Sequence, residues 1–135
     1  MAMITCFDDL LLEAQRQPAP QQLLFVFARA ELPDDATPAQ RAGFEAGQGG
    51  ALAPVMCVDK AAQELGSFAA LAQESRQMGL DWTVVFAAAL GGQGGVAPSP
   101  AAADAALQRM VESIRAGAIG GFVPFDRQGN VLQLS

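Results

Sequence analysis

The chain has 135 residues, 51% of them hydrophobic and 16% charged, with a formal net charge of −6. That length suits one domain over residues 1–135, and the acidic balance excludes the phosphate backbones and anionic membrane surfaces that repel negative charge. With no histidine and no tyrosine anywhere in the chain, Ser-His-Asp or Cys-His catalysis and imidazole metal ligation are excluded as well.

In chain order, residues 5–17 predict a helix. Thr5 is placed to cap it, Asp8 lies near its positive end, and Phe7, Leu10, Leu11 and Ala14 form one apolar stripe. Pro18 and Pro20 end it. Residues 22–29, rich in branched and aromatic side chains, predict a buried strand. Thr37-Pro38 opens a short helix to about Ala46, which Gly47 stops. Residues 51–58 predict a strand, and Pro54 puts it at an edge or starts it just after the proline. A helix then runs from Asp59-Lys60 to Met78, with Gly66 as an early break and Ser67 as a second cap. Residues 82–90 are apolar on both alternating faces and predict a strand inside the sheet with helices above and below. Ser99-Pro100 opens a helix to Ala116. Residues 118–125 predict an edge strand containing Pro124, and the turn Asp126–Gly129 leads to alternation from Asn130 to Leu134.

This order predicts an α/β fold: a mixed, mostly parallel sheet of about five strands flanked by helices, closed by a C-terminal antiparallel hairpin. No stretch reaches the roughly 18 unbroken apolar residues of a membrane span. Asp8 and Asp9 stand where a signal peptide would carry basic residues. Two cysteines 51 positions apart, Cys6 and Cys57, form no disulfide framework or metal spacing, so a soluble, reduced, cytoplasmic setting is expected.

Parallel strands would bring Arg29, Glu31, Asp59, Lys60 and the Gly91–Gly95 loop to one strand-end crevice, where an anionic small molecule could bind or be processed. Gly92-Gln93-Gly94-Gly95-Val96-Ala97 formally matches the dinucleotide pattern. Pro98 follows too soon for the last position to lie in a helix, so a plain turning loop is expected. Cys6 falls at a helix start, where a thiolate is favoured, or else is a small buried hydrophobe. Cys57 is expected in the core, and Asp8-Asp9 and Asp34-Asp35 as solvated carboxylate pairs rather than a metal site. A Ser67–Lys60 pair has nothing specific behind it, and no metal or cofactor is expected.

Four stretches carry a resemblance that spans nearly the whole chain. They are Leu24 to Asp35, Pro54 to Lys60, Ser67 to Leu71 and Phe122 to Gly129. The chain resembles a family of short proteobacterial proteins often labelled "ribonucleotide reductase subunit alpha". The label implies a role in ribonucleotide reduction, although that chemistry needs a redox cysteine pair beside a thiyl cysteine. The resemblance supplies no active residues. The missing catalytic types, the apolar content and the C-terminal edge hairpin point first to a non-catalytic interaction or accessory protein that self-associates or takes a protein partner. An anionic-ligand binder or enzyme using Arg29, Asp59 and Lys60 is the alternative.

Overall fold

The computed structural model describes residues 4–31, 37–45, 51–79 and 81–132. Its elements are α1 (Phe7–Gln15), β1 (Gln21–Glu31), α2 (Pro38–Glu45), β2 (Ala51–Ala61), α3 (Phe68–Gln77), β3 (Val84–Gly91), α4 (Pro100–Arg115) and β4 (Val123–Phe125). The expected stop of α2 at Gly47 lies outside the described residues.

The mostly parallel sheet is overturned. The described residues form one four-stranded sheet of order β2-β1-β3-β4, and every neighbouring pair is antiparallel, an α+β arrangement. The reason the sequence pointed the other way is visible in the topology. β2 and β3 do run the same way, and α3 connects them, as in a parallel crossover. β1 lies between them and runs against both, so each hydrogen-bonded contact is antiparallel. Burial on both faces, usually a mark of parallel sheets, arises here because α1 and α3 cover one face and α4 the other.

On the first face Phe7, Leu10, Leu11 and Ala14 of α1 and Phe68, Leu71 and Ala72 of α3 pack on Leu23, Phe25, Phe27, Val85 and Ala87. On the second, Ala103, Ala106, Leu107, Met110 and Ile114 of α4 pack on Leu24, Val26, Ala28, Val84 and Phe86. The alternation along β1 and β3 thus feeds two cores, and β3 lies inside the sheet as its residues require. Phe7 is the centre of the first core, with ring centroids 5.8 Å from Phe25, 5.2 Å from Phe68 and 5.6 Å from Phe125.

Helix starts follow local chemistry. Ser67 Oγ accepts from the Ala70 amide and Ser99 Oγ from the Ala102 amide, both at 3.1 Å, and Pro100 occupies the first turn. α3 therefore begins after the second candidate cap, and β2 continues through Asp59 and Lys60 instead of turning helical there. At α1 the cap residue is Cys6, with no side-chain cap bond. Thr5 does not cap amides; its own N–H and hydroxyl both donate to Asp9 Oδ2, at 3.0 and 2.8 Å. Trp82 precedes β3 and is buried, its Nε1 donating to buried Ser75 Oγ at 2.8 Å, which donates to the Ala72 carbonyl.

The C-terminal hairpin forms only in part: Phe125 bridges Val131, and the Leu132 amide donates to the Pro124 carbonyl at 2.9 Å. The same segment ties down the N-terminus. The Phe7 amide donates to the Gly129 carbonyl at 2.8 Å, and the Val131 amide to the Thr5 carbonyl at 3.1 Å. No helix among the described residues is long and apolar enough to cross a membrane.

Candidate functional site

The expected strand-end crevice does not assemble, because β1 runs opposite to β2 and β3. Lys60 pairs with Leu23 and Asp59 with Leu24, whereas Arg29 pairs with Ala53. Arg29 therefore lies six ladder positions from Leu23, about 20 Å at strand rise. Asp59, Lys60 and the glycine loop share one end of the sheet, and Arg29 occupies the other.

Each candidate already has structural work. Arg29 Nε and Nη2 donate to the Asp81 carbonyl at 3.2 and 3.1 Å, and Arg127 Nε donates to the Trp82 carbonyl at 2.7 Å while its Nη2 pairs with the Asp81 carboxylate. The two arginines clamp the turn between α3 and β3. Lys60 Nζ pairs with Glu74 Oε1 at 3.0 Å, joining β2 to α3, a half-exposed bond worth at most about 1 kcal/mol. Asp59 accepts from Gln22 Nε2 at 2.7 Å. Ser67, committed to its cap, is no nucleophile for Lys60.

The glycine loop is a tight turn and not an anion cradle. Gln93 and Val96 exchange amide-to-carbonyl bonds at 3.0 Å in both directions, with Gly94 and Gly95 at φ of +59° and +77°, the backbone of a primed hairpin turn. A Cβ on Gly92 would lie 2.0 Å from the Val96 carbonyl oxygen, so glycine is required there by crowding. α4 starts only at Pro100, beyond this turn.

Cys6 is half-buried and bridges Asn130 beside β4, while Cys57 sits on β2 at the opposite edge of the sheet, so the two free thiols are no redox pair. Cys57 is exposed, not core: it lies on edge strand β2, paired with Val26. Asp34-Asp35 lies outside the described residues, and no acid–thiol cluster fit for a metal ion occurs among those described.

Asp9 is half-buried, and the hydrogen bonds from the Thr5 backbone and hydroxyl hold its carboxyl below the usual carboxylate value. A group whose folded pKa is depressed stabilises the fold above its unfolded pKa and loses that contribution as pH falls through the folded one. Wild type should therefore lose more stability than Asp9→Asn between pH 5 and pH 2, when both are followed by chemical denaturation at each pH. Parallel pH profiles would refute the role of the Thr5 bonds.

An open concavity lies beside residues that are no site candidates in the sequence. A groove of about 370 Å³ runs between the second half of β3 and α4, floored by Leu24 and walled by Ala88, Ala89 and Leu90 on one side and Ala106, Arg109, Met110 and Ser113 on the other, with Phe122 at its end. A second pocket, between β2 and α3, is about 30 Å³, room for about two waters. The groove exists because β4 is short. It pairs with Val85–Ala87 alone, and the Ile119–Phe122 turn lifts the chain off the sheet before Ala88.

That leaves half of β3 with an unpaired outer edge among the described residues. The Gly92 amide bonds to Pro20 on the β1 side, so alternation in an antiparallel ladder turns the N–H and C=O of Ala89 and Gly91 the other way, outward. The only sequence signals were the small residues Ala87-Ala88-Ala89 and the Gly120-Gly121 pair. No family model, curated protein or solved structure matches the chain.

Proposed function

We propose that this is a non-catalytic interaction protein that accepts a segment of another polypeptide as an added strand beside Ala88–Gly91, with its side chains in the groove under α4. The observation that carries this reading is the outward backbone of Ala89 and Gly91 bordering an open, mostly apolar groove, the arrangement that strand addition uses for affinity and specificity. A chain without histidine or tyrosine fits a binding role. On this reading the protein works in the cytoplasm with both thiols free.

Self-association has a longer edge available in β2, but that edge is blunted. The β1–β2 register shifts between Phe27 and Ala28, leaving Val55 as a bulge, and the ladder turns the nitrogen of Pro54 outward, where no N–H is offered. Asp59 and Lys60 add charge at its end. Proline, bulge and charge are what edge strands use against edge-to-edge pairing. The half-edge of β3 carries none of them, so another chain is better received there.

The test is an array of extended octapeptides with small and branched side chains at alternate positions, hits being remeasured by fluorescence anisotropy. Binding should fall at least tenfold when the bound peptide is N-methylated at alternate amides, which removes its donors and leaves the protein untouched. Ala89→Pro, which deletes an outward N–H, should act likewise without unfolding the chain. Peptides that bind equally well after N-methylation at either set of amides would end the strand-addition reading.

A further inference from the structure

We infer that the segment taken up in this groove is acidic, with a carboxylate seated on Arg109. This inference rests on the strand-addition reading above and names the chemistry of its partner. Among the described residues, Arg109 is the only charged side chain on the groove wall. It is exposed, and among the described residues it makes no hydrogen bond or ion pair, unlike Arg29 and Arg127, whose guanidinium groups are spent on the Asp81–Trp82 turn. Ser113 stands four residues on, which on a helix is the adjacent position of the same face, and it too lines the groove.

A guanidinium fork with a hydroxyl one turn away presents donors suited to the two oxygens of a carboxylate. The rest of the lining is alanine, leucine, methionine and phenylalanine, so a bound chain screens this pair from water on one side. A peptide that continues the line of β4 runs antiparallel to β3, places alternate side chains over Leu24 and Met110, and brings an acidic residue to the α4 wall. The backbone edge selects a polypeptide over a free acid, because its N–H and C=O groups recur at strand spacing. The net charge of −6 opposes an acidic partner at long range, so the selectivity expected here is local to Arg109.

The experiment uses the array hits as sets that differ at one position: Glu, Gln or Lys at the side chain nearest α4. Affinity for the full-length chain is measured by anisotropy at low and high salt. The Glu peptide should bind about fivefold tighter than its Gln twin, and the gap should close at high salt. Arg109→Gln should abolish the gap between the Glu and Gln peptides, and Arg109→Glu should reverse the preference towards the Lys peptide. Equal binding of Glu and Gln peptides to the wild type, with both still lost on N-methylation, would overturn the acidic preference and leave the groove reading intact. No binding by any peptide, or binding indifferent to N-methylation, would overturn both. Circular dichroism and thermal melts of the Arg109 variants check that the fold persists, as an exposed helical position allows.

Discussion

Phe7→Ala is expected to cost about 3–5 kcal/mol, the range for removing a fully buried phenylalanine. Phe7 is 1% exposed and its ring touches rings from β1, α3 and β4 at once, so no single element can collapse into the space it leaves. Its amide bond to Gly129 remains in the variant, which makes the loss one of packing. Against a total stability of about 5–15 kcal/mol for a domain, this is a large fraction. Urea denaturation followed by Trp82 fluorescence would read it, since Trp82 is the single tryptophan and lies in the same ring network, 6.4 Å from Phe68. With a slope of about 2 kcal/mol per molar urea, the midpoint should fall by about 2 M. Phe7→Leu should lose much less. A fall of under about 0.5 M for Phe7→Ala would mean that the three rings do not depend on it.

Gly129→Ala is expected to cost about 2–4 kcal/mol although it adds only a methyl group. Two penalties combine. Gly129 has φ of +85°, a left-handed conformation that costs an L side chain about 1–2 kcal/mol. A Cβ there would also lie 3.0 Å from the Phe68 ring, which cannot retreat because it is packed edge-on against Phe7. The turn cannot relax cheaply either, since the Asp126 carboxylate accepts from the amides of Gln128 and Asn130, and the Gly129 carbonyl holds the Phe7 amide. Gly117→Ala is the control. Gly117 has φ of +79° with open space where its Cβ would go, so it carries the backbone penalty alone. Melting temperatures and urea midpoints of the two variants should separate them, Gly129→Ala being the worse. Equal losses would remove the steric contribution from the account.

Both substitutions act on the closure where Gly129–Val131 meets Thr5–Phe7, and the groove lies on the opposite face of the sheet, under α4. Loss of the Glu-over-Gln preference in Arg109→Gln, or of peptide binding in Ala89→Pro, without loss of stability would therefore be separable from any general weakening of the fold.

Two helix starts and the buried faces of α1 and β3 are legible from the order of residues alone. Ser67 and Ser99 cap as their side chains demand, Phe7, Leu10, Leu11 and Ala14 line one helical face, and residues 84–87 are buried on both sides of the sheet. These follow from hydrogen bonds within a few residues and from side-chain periodicity, which a one-dimensional pattern carries. Strand direction is not carried that way. A strand buries the same residues whichever way it runs, and only the pairing of β1 between β2 and β3 decided that Arg29 and Lys60 stand at opposite ends of the sheet. The place of β2 at the edge of the sheet likewise decided the fate of Cys57, apolar in pattern yet exposed. Tertiary structure also decided the groove: Ala88, Ala89 and Arg109 are unremarkable in sequence, and they become a surface only because β4 is three residues long and leaves its neighbour's edge uncovered.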